Sequence, residues 1–190
     1  PEFDRCMDTP QNNPHHLYNV GEHTIRSMMN VRPDKVLRLT MLMHDFGKPA
    51  CRTTDEKGID HFYGHPAVSA DMADNILRRL KYDNDTRKSV VKLTREHDRF
   101  VRLTEPGIRK AVIEIGEDLF PLWLEVKEAD ALAQSLYRRQ EKMDYLEKIR
   151  TVYGRILERG DCISLKDLAV TGNDLIAAGV PKGKEIGGLL

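Results

Sequence analysis

The chain has 190 residues, enough to bury a real core in one domain or in a domain with a small appendage. Hydrophobic residues at 40% and charged residues at 32% describe an ordinary globular protein, and 30 Lys+Arg against 30 Asp+Glu exclude the whole-molecule basic footprint of a nucleic-acid binder. Cys6, Cys51 and Cys162 are odd in number and form no CxxC pair, which argues against a disulfide scaffold and for a reducing, cytoplasmic compartment; no apolar run approaches bilayer length, so no membrane partner is expected.

The opening PEFDRCMDTPQNNPHH is rich in Pro, Asn and Asp and reads as a loop segment over 1–16. A helix is predicted from about Leu17 to Met29, with Val20, Thr24 and Met28 on one face and His23 beside them. Pro33 and Asp34 open a second helix, whose residues from Val36 to Met43 are nearly all apolar apart from Arg38 and Thr40, so it is expected to be central and mostly buried. Gly47 is a natural stop for that helix and Pro49 prevents its continuation. Residues 50–64 are turn-rich and read as a short excursion.

The clearest amphipathic segment follows, with Pro66 suited to its first turn and Val68, Met72, Ile76 and Leu80 repeating every four residues. A fourth helix, about Thr86 to Arg99, places Val90, Leu93, Thr94 and His97 on one stripe. A fifth covers Gly107 to Gly116, and a sixth Leu122 to Tyr137, with Leu122, Val126, Ala129, Ala133 and Leu136 inward. Charge is segregated here: residues 85–110 hold 8 basic and 4 acidic side chains, whereas 114–130 hold 6 acidic and 1 basic, both explicable as solvated helix faces. A seventh helix, Gln140 to Arg159, carries Met143, Leu146, Ile149, Tyr153 and Ile156 and ends at Gly160. SLKD and TGND then resemble capping-box starts of two short helices, and Gly179-Val180-Pro181 follows the second. No strand alternation is convincing, and an all-α protein is expected.

Several ligand-type side chains fall on apolar stripes. Asp130 lies four residues after Val126 and three before Ala133, where an ionised carboxylate is costly unless a cation or several donors meet it. His97 follows Thr94 and Leu93 at helical spacing, and His44-Asp45 close the most buried helix. Together with His23, these residues are expected to converge on one interior point. Neutral imidazoles and carboxylates on a rigid frame suit a divalent transition metal with positions left open for water. His65, just before the amphipathic helix, adds a donor for a second metal that would share Asp45 as a bridge. The competing structural reading is a set of hydrogen-bonded core histidines, with Asp130 paired to an arginine such as Arg38.

HTIR at 23–26, LMHDFGKP at 42–49 and EAD at 128–130 resemble the H…HD…D signature of the HD-domain metal-dependent phosphohydrolases. His65 in FYGHP and His97 in REHD look like the further histidines of HD subfamilies with two metals, and this match covers roughly Leu17 to Tyr137. QNNPHHLYNVGEHT, DHFYGHPAVSADMADNILRRLKY and KDLAVTGNDLIAAGVPKGKEIG are similar to the HD-containing part of bacterial CCA-adding tRNA nucleotidyltransferases, a resemblance that spans nearly the whole chain. It implies an HD-domain helical bundle over 17–160, with 161–190 as the start of a C-terminal helical body segment. The nucleotidyltransferase head of that family, with its Gly-Ser motif and paired acids, has no counterpart in these residues, so CCA addition would need a head located elsewhere. An opening without Met and a closing GKEIGGLL that reads like a helix just begun lead to the expectation of a piece cut from a longer protein.

The leading expectation is phosphoester hydrolysis. His23, His44, Asp45 and Asp130 would hold a divalent metal (Mg, Mn, Ni, Fe or Zn), with His65 and His97 completing a second site or contacting substrate. Asp45 would orient the attacking water, and Lys48 would neutralise phosphate charge, unless it merely complements a helix dipole. By the resemblance, the substrate is a cyclic or terminal phosphate on RNA or a nucleotide. Lys182 and Lys184, in a segment that would belong to the tRNA-touching body, would grip a phosphate, unless that segment is a plain connection. A second expectation is a noncatalytic RNA- or tRNA-binding body with a structural or vestigial metal site, motivated by the basic 85–110 stretch. A third is a purely structural helical module. The pattern sets no oligomeric state.

Overall fold

Helices dominate the structure, and polar side chains at their N-termini decide where several begin. The computed structural model describes residues 1–160, 172–181 and 183. In chain order the elements are α1 (Glu2–Met7), α2 (Val20–Met29), α3 (Lys35–Met43), α4 (Lys48–Cys51), β1 (Thr53–Thr54), β2 (Asp60–His61), α5 (His65–Arg79), α6 (Asn84–Glu96), α7 (Glu105–Ile115), α8 (Phe120–Ala133), α9 (Arg139–Glu158) and α10 (Gly172–Ala177). The Asn19 side chain accepts from Glu22 N at 2.7 Å, Asp34 from Leu37 N at 3.0 Å, Asp83 from Thr86 N at 2.8 Å and Thr104 from Gly107 N at 3.2 Å. Each bond satisfies an amide that the helix itself leaves without a partner. The caps therefore start α2 later than Leu17, α6 earlier than Thr86 and α7 earlier than Gly107.

The helix expected to be central is central: α3 packs against α2, α5, α6 and α8. Leu37 and Met41 are buried with Val126 and Ala129, while Met43 is buried with Val20, Ala73, Leu77 and Val90. A further cluster gathers Leu93, Ile108, Phe120, Trp123, Leu146 and Ile149 from α6 to α9. Because α3 is covered on both sides, the residues that leave its C-terminus stay inside, and His44 and Asp45 are 0% and 1% exposed.

Four local expectations are corrected. The opening segment is not all loop, since it contains α1, whose Cys6 is fully buried in the α3–α5 cluster. The excursion contains an antiparallel hairpin of two-residue strands, with Thr53 opposite His61 and Thr54 opposite Asp60. The α8 helix ends at Ala133 rather than Tyr137, because tertiary bonds take over there: Ser135 N donates to His15 O at 2.8 Å and Ser135 Oγ to Pro14 O at 2.5 Å. Leu136, expected inward, is thus outside the helix and 76% exposed, and Leu80 at the C-cap of α5 is 57% exposed.

Gly47 is the fourth correction. It caps the start of α4, with Pro49 in the first turn, instead of stopping α3. A Cβ at Gly47 would lie 2.7 Å from His65 O and 2.8 Å from Ser69 N, and Gly47 N already donates to Ser69 Oγ at 2.9 Å. Only glycine lets α5 approach this closely. Gly47→Ala is expected to lower stability by about 1–3 kcal/mol through forced displacement of backbone; an unchanged urea-unfolding midpoint would contradict this packing.

The helix expected at TGND is found as α10, and Gly179 (φ +94°) follows it. The helix start at SLKD, Cys162, Lys182 and Lys184 lie outside the described residues. Among the described residues, Cys6 and Cys51 are free thiols, and no helix is long and apolar enough to cross a membrane.

Candidate metal centre

Five elements deliver the ligand-type side chains to one interior place. His23 comes from the first turn of α2, His44 and Asp45 from the end of α3, His65 from the first residue of α5, His97 from the end of α6, and Asp130 from the last turn of α8. All of the histidines are buried, Asp45 is 1% exposed, and the Asp130 side chain is 15% exposed.

The same local device orients three of the rings. His44 Nδ1 lies 2.7 Å from Met41 O, His65 Nδ1 2.8 Å from Phe62 O and His97 Nδ1 2.7 Å from Thr94 O, in each case the carbonyl three residues earlier. His23 Nδ1 faces Ala133 O more loosely, at 3.4 Å. A carbonyl oxygen only accepts, so Nδ1 carries the proton and the Nε2 lone pair of the neutral ring points inward. The inward nitrogens meet in pairs, His23 with His44 at 3.3 Å and His65 with His97 at 3.2 Å. Lone pairs at that separation repel unless positive charge lies between them.

The carboxylates complete two groups. Asp130 Oδ1 is 2.9 Å from His23 Nε2 and 3.8 Å from His44 Nε2, so His23, His44 and Asp130 form one candidate metal set. Asp45, His65 and His97 form the other. Asp45 faces both: Oδ2 lies 3.5 Å from His23 and 3.2 Å from His44, while Oδ1 lies 3.2 Å from His65 and 3.7 Å from His97. Both Asp45 oxygens are buried without a well-formed hydrogen bond, although Lys48 Nζ is 2.7 Å from Oδ2. A buried carboxylate short of hydrogen-bond donors, ringed by imidazole lone pairs, suits a divalent cation. Among the described residues, both candidate groups offer only imidazole nitrogens and carboxylate oxygens.

The titration behaviour agrees with a site that attracts positive charge. Burial most strongly opposes ionisation of Asp45, yet His44 and Lys48 outweigh it and hold the carboxyl well below its ordinary range. Burial likewise opposes charge on Asp130, and His23, whose Nε2 lies 2.9 Å from its carboxylate, overrides that and holds it well below the ordinary range. Burial disfavours a charged His44, but Asp45 raises its pKa above the usual histidine value. His97 is pushed down to about 3, by burial first and by His44 second, which keeps it a neutral donor.

Arg38 is exposed and does not meet Asp130, whose partners are His23 and Gln134 Nε2 at 2.9 Å. The site opens into a cavity of about 720 Å³ that Asp45, His65, His97 and Asp130 line. Lys48 lines it too; its Nζ also donates to Gln11 Oε1 at 2.8 Å, so this lysine is turned into the site and not outwards along a helix end. Pattern reading missed His15, His16, Lys127 and Lys142, which line the same cavity. The two histidines sit in a Pro- and Asn-rich loop without periodicity, and the two lysines read as ordinary polar positions of α8 and α9. Their one sequence signal is the doubled His in QNNPHH.

Residues 53–190 match the family described as tRNA nucleotidyltransferase domain 2. The chain is 30% identical to the CC-adding tRNA nucleotidyltransferase of Thermus thermophilus over 98% of this chain and 42% of that protein. It is 31% identical to the A-adding tRNA nucleotidyltransferase of Deinococcus radiodurans over 68% of this chain and 32% of that protein. To the multifunctional CCA protein of Azoarcus sp. it is 36% identical over 51% of this chain and 24% of that protein. The matches therefore span between 24% and 42% of the length of these curated relatives.

Proposed function

The chain belongs to the tRNA nucleotidyltransferase domain 2 family, and from that premise we propose that it is the HD-type portion of a CCA-adding-like tRNA nucleotidyltransferase, acting as a metal-dependent phosphohydrolase on a phosphoester of RNA or a nucleotide. The observation that carries this reading is the shared carboxylate: Asp45 presents one oxygen to the His23–His44–Asp130 group and the other to His65 and His97. His23, His44 and Asp130 would hold one divalent ion, His65 and His97 a second, and Asp45 would bridge them. When bound, such ions lower the pKa of a coordinated water and polarise a phosphoryl oxygen.

The protein's own groups do the rest. The Nδ1–H bonds to backbone carbonyls fix the His44, His65 and His97 rings, and hold His23 more loosely, so that Nε2 stays available inward, which preorganises the donors. Asp45, ionised and short of donors, is the acceptor that orients the attacking water. Lys48, with Lys127 and Lys142 lining the same cavity, supplies counter-charge to the substrate phosphate, and the lysine ammoniums give the anion a reason to enter a cavity that Asp45, Asp60, Asp98 and Asp130 also line. The 720 Å³ cavity has room for a nucleotide.

The test is a turnover screen of the purified chain, with each candidate divalent metal, against nucleotides and short RNAs carrying terminal or cyclic phosphates. Metal-dependent release of product is expected. Absence of turnover with every metal, combined with salt-sensitive tRNA binding by metal-free protein, would replace this reading with a noncatalytic RNA-binding body.

A further inference from the structure

Resting on the phosphohydrolase reading for its phosphate subsite, we propose that the β1–β2 hairpin is a nucleobase-binding arm, in which the exposed ring of Tyr63 stacks on the base of the nucleotide whose phosphate lies in the cavity. Tyr63 lies two residues past the end of β2 and lines the cavity, yet is 79% exposed. A ring left that open gains little from burial, and strands of two residues are too short to hold a hairpin by themselves. Something else fixes it.

The fixing is a chain of polar contacts. Asp55 Oδ1 accepts from Lys57 N and Ile59 N, both at 2.9 Å, and Gly58 with φ +77° lets the turn close. Asp55 Oδ2 then accepts from His61 Nε2 at 3.0 Å. With its proton on Nε2, His61 has a free lone pair on Nδ1, which accepts from the Tyr63 hydroxyl at 3.3 Å. The His61 and Tyr63 rings lie parallel, with centroids 5.3 Å apart and planes 5° from each other. One side of the Tyr63 ring thus rests on His61, and the ring is oriented without being covered. The hairpin is in turn pinned to the body through buried Asp60, whose carboxylate takes Asn12 N at 2.9 Å, Thr54 Oγ1 at 2.7 Å and Arg52 Nε at 3.1 Å.

A rigid, half-stacked aromatic ring at the edge of a lysine-bearing cavity has the two features that a nucleotide needs. Lys48, Lys127 and Lys142 complement the phosphate, and the open π face complements the base. Stacking is tolerant of base identity, because every base presents a π face, so the arm selects nucleotides over base-free phosphates without reading sequence. Loss of one such stacking contact weakens binding roughly fivefold to a hundredfold.

The experiment compares calorimetric binding of adenosine 5′-monophosphate and ribose 5-phosphate, which share the phosphate and differ by the base. Wild type is expected to bind the nucleotide at least about fivefold more tightly. Tyr63→Ala should remove most of that preference, and Tyr63→Trp should keep it. Equal binding of the two ligands by wild type, no detectable nucleotide binding, or an undiminished preference in Tyr63→Ala would overturn the arm. Turnover is not needed for this readout. A retained base preference without hydrolysis would therefore sink the phosphohydrolase and leave the arm, while hydrolysis without base preference would do the reverse.

Discussion

Asp45→Ala is expected to abolish metal binding and phosphoester turnover together. Among the described residues, Asp45 is the one side chain whose two oxygens face both candidate ligand groups, one towards His23 and His44 and the other towards His65 and His97. Removing a mere outer-shell partner of a metal ligand typically costs 10- to 100-fold in affinity or activity, so losing the shared carboxylate should cost at least about a hundredfold. It also strips Lys48 Nζ of an anion 2.7 Å away, which loosens one of the lysines that line the cavity. Asp45→Asn separates shape from charge: it fills the same space and should fail nearly as badly, since an amide oxygen is a poor bridge between two cations. His44→Ala is expected to abolish metal binding and activity as well. Elemental analysis and initial rates on a folded variant check all three, and wild-type metal content and turnover in any of them would refute the assignment of that residue.

The largest expected loss of stability is at Trp123. Its side chain is fully buried, with its ring stacked on Phe120 at 5.3 Å between centroids. Its indole N–H donates to Glu96 O at 2.8 Å. Trp123→Ala should remove about 3–5 kcal/mol, because it deletes the largest buried side chain and leaves a cavity that the surrounding helices cannot fully close. Set against a typical total of about 5–15 kcal/mol, that loss brings the domain near its unfolding threshold at ordinary temperature. The bond to Glu96 adds a local consequence. Glu96 is the last residue of α6 and immediately precedes His97; its carbonyl also accepts from Arg99 N at 3.0 Å, so losing the indole donor weakens rather than removes the anchoring of the helix end that aims His97 at the site. Trp123→Phe keeps most of the packing and loses this bond, and is expected to weaken metal retention more than its smaller stability loss would suggest. A denaturant midpoint for Trp123→Ala within about 1 kcal/mol of wild type would contradict the packing described.

The convergence of these histidines and aspartates is legible in the sequence because they break an apolar pattern. His97 and Asp130 stand at inward positions of α6 and α8, and His44-Asp45 end a helix that is apolar almost all round, so the pattern itself placed them inside. The burial of α3 followed from the same feature. What pattern could not supply was set by tertiary contact or by short-range backbone geometry. The Nδ1 bonds that orient His44, His65 and His97 use backbone carbonyls three residues earlier, which no side-chain alphabet records. The end of α8 depends on Pro14 and His15, more than a hundred residues away in sequence, and Leu136 was misplaced for that reason. Gly47 looked like a helix stop, while its true constraint is the backbone of α5 pressing against it. The α1 helix is six residues long in a Pro- and Asp-rich context, too short to show a period.

Metal content of the purified, folded chain is the most direct measurement of whether imidazoles and carboxylates from α2, α3, α5, α6 and α8 share cations. Two ligand groups joined through Asp45 predict close to two divalent ions per chain, released together in Asp45→Ala. A folded wild-type chain that takes up no divalent metal at stoichiometric level, even after incubation with Mg, Mn, Fe, Ni or Zn, would contradict it.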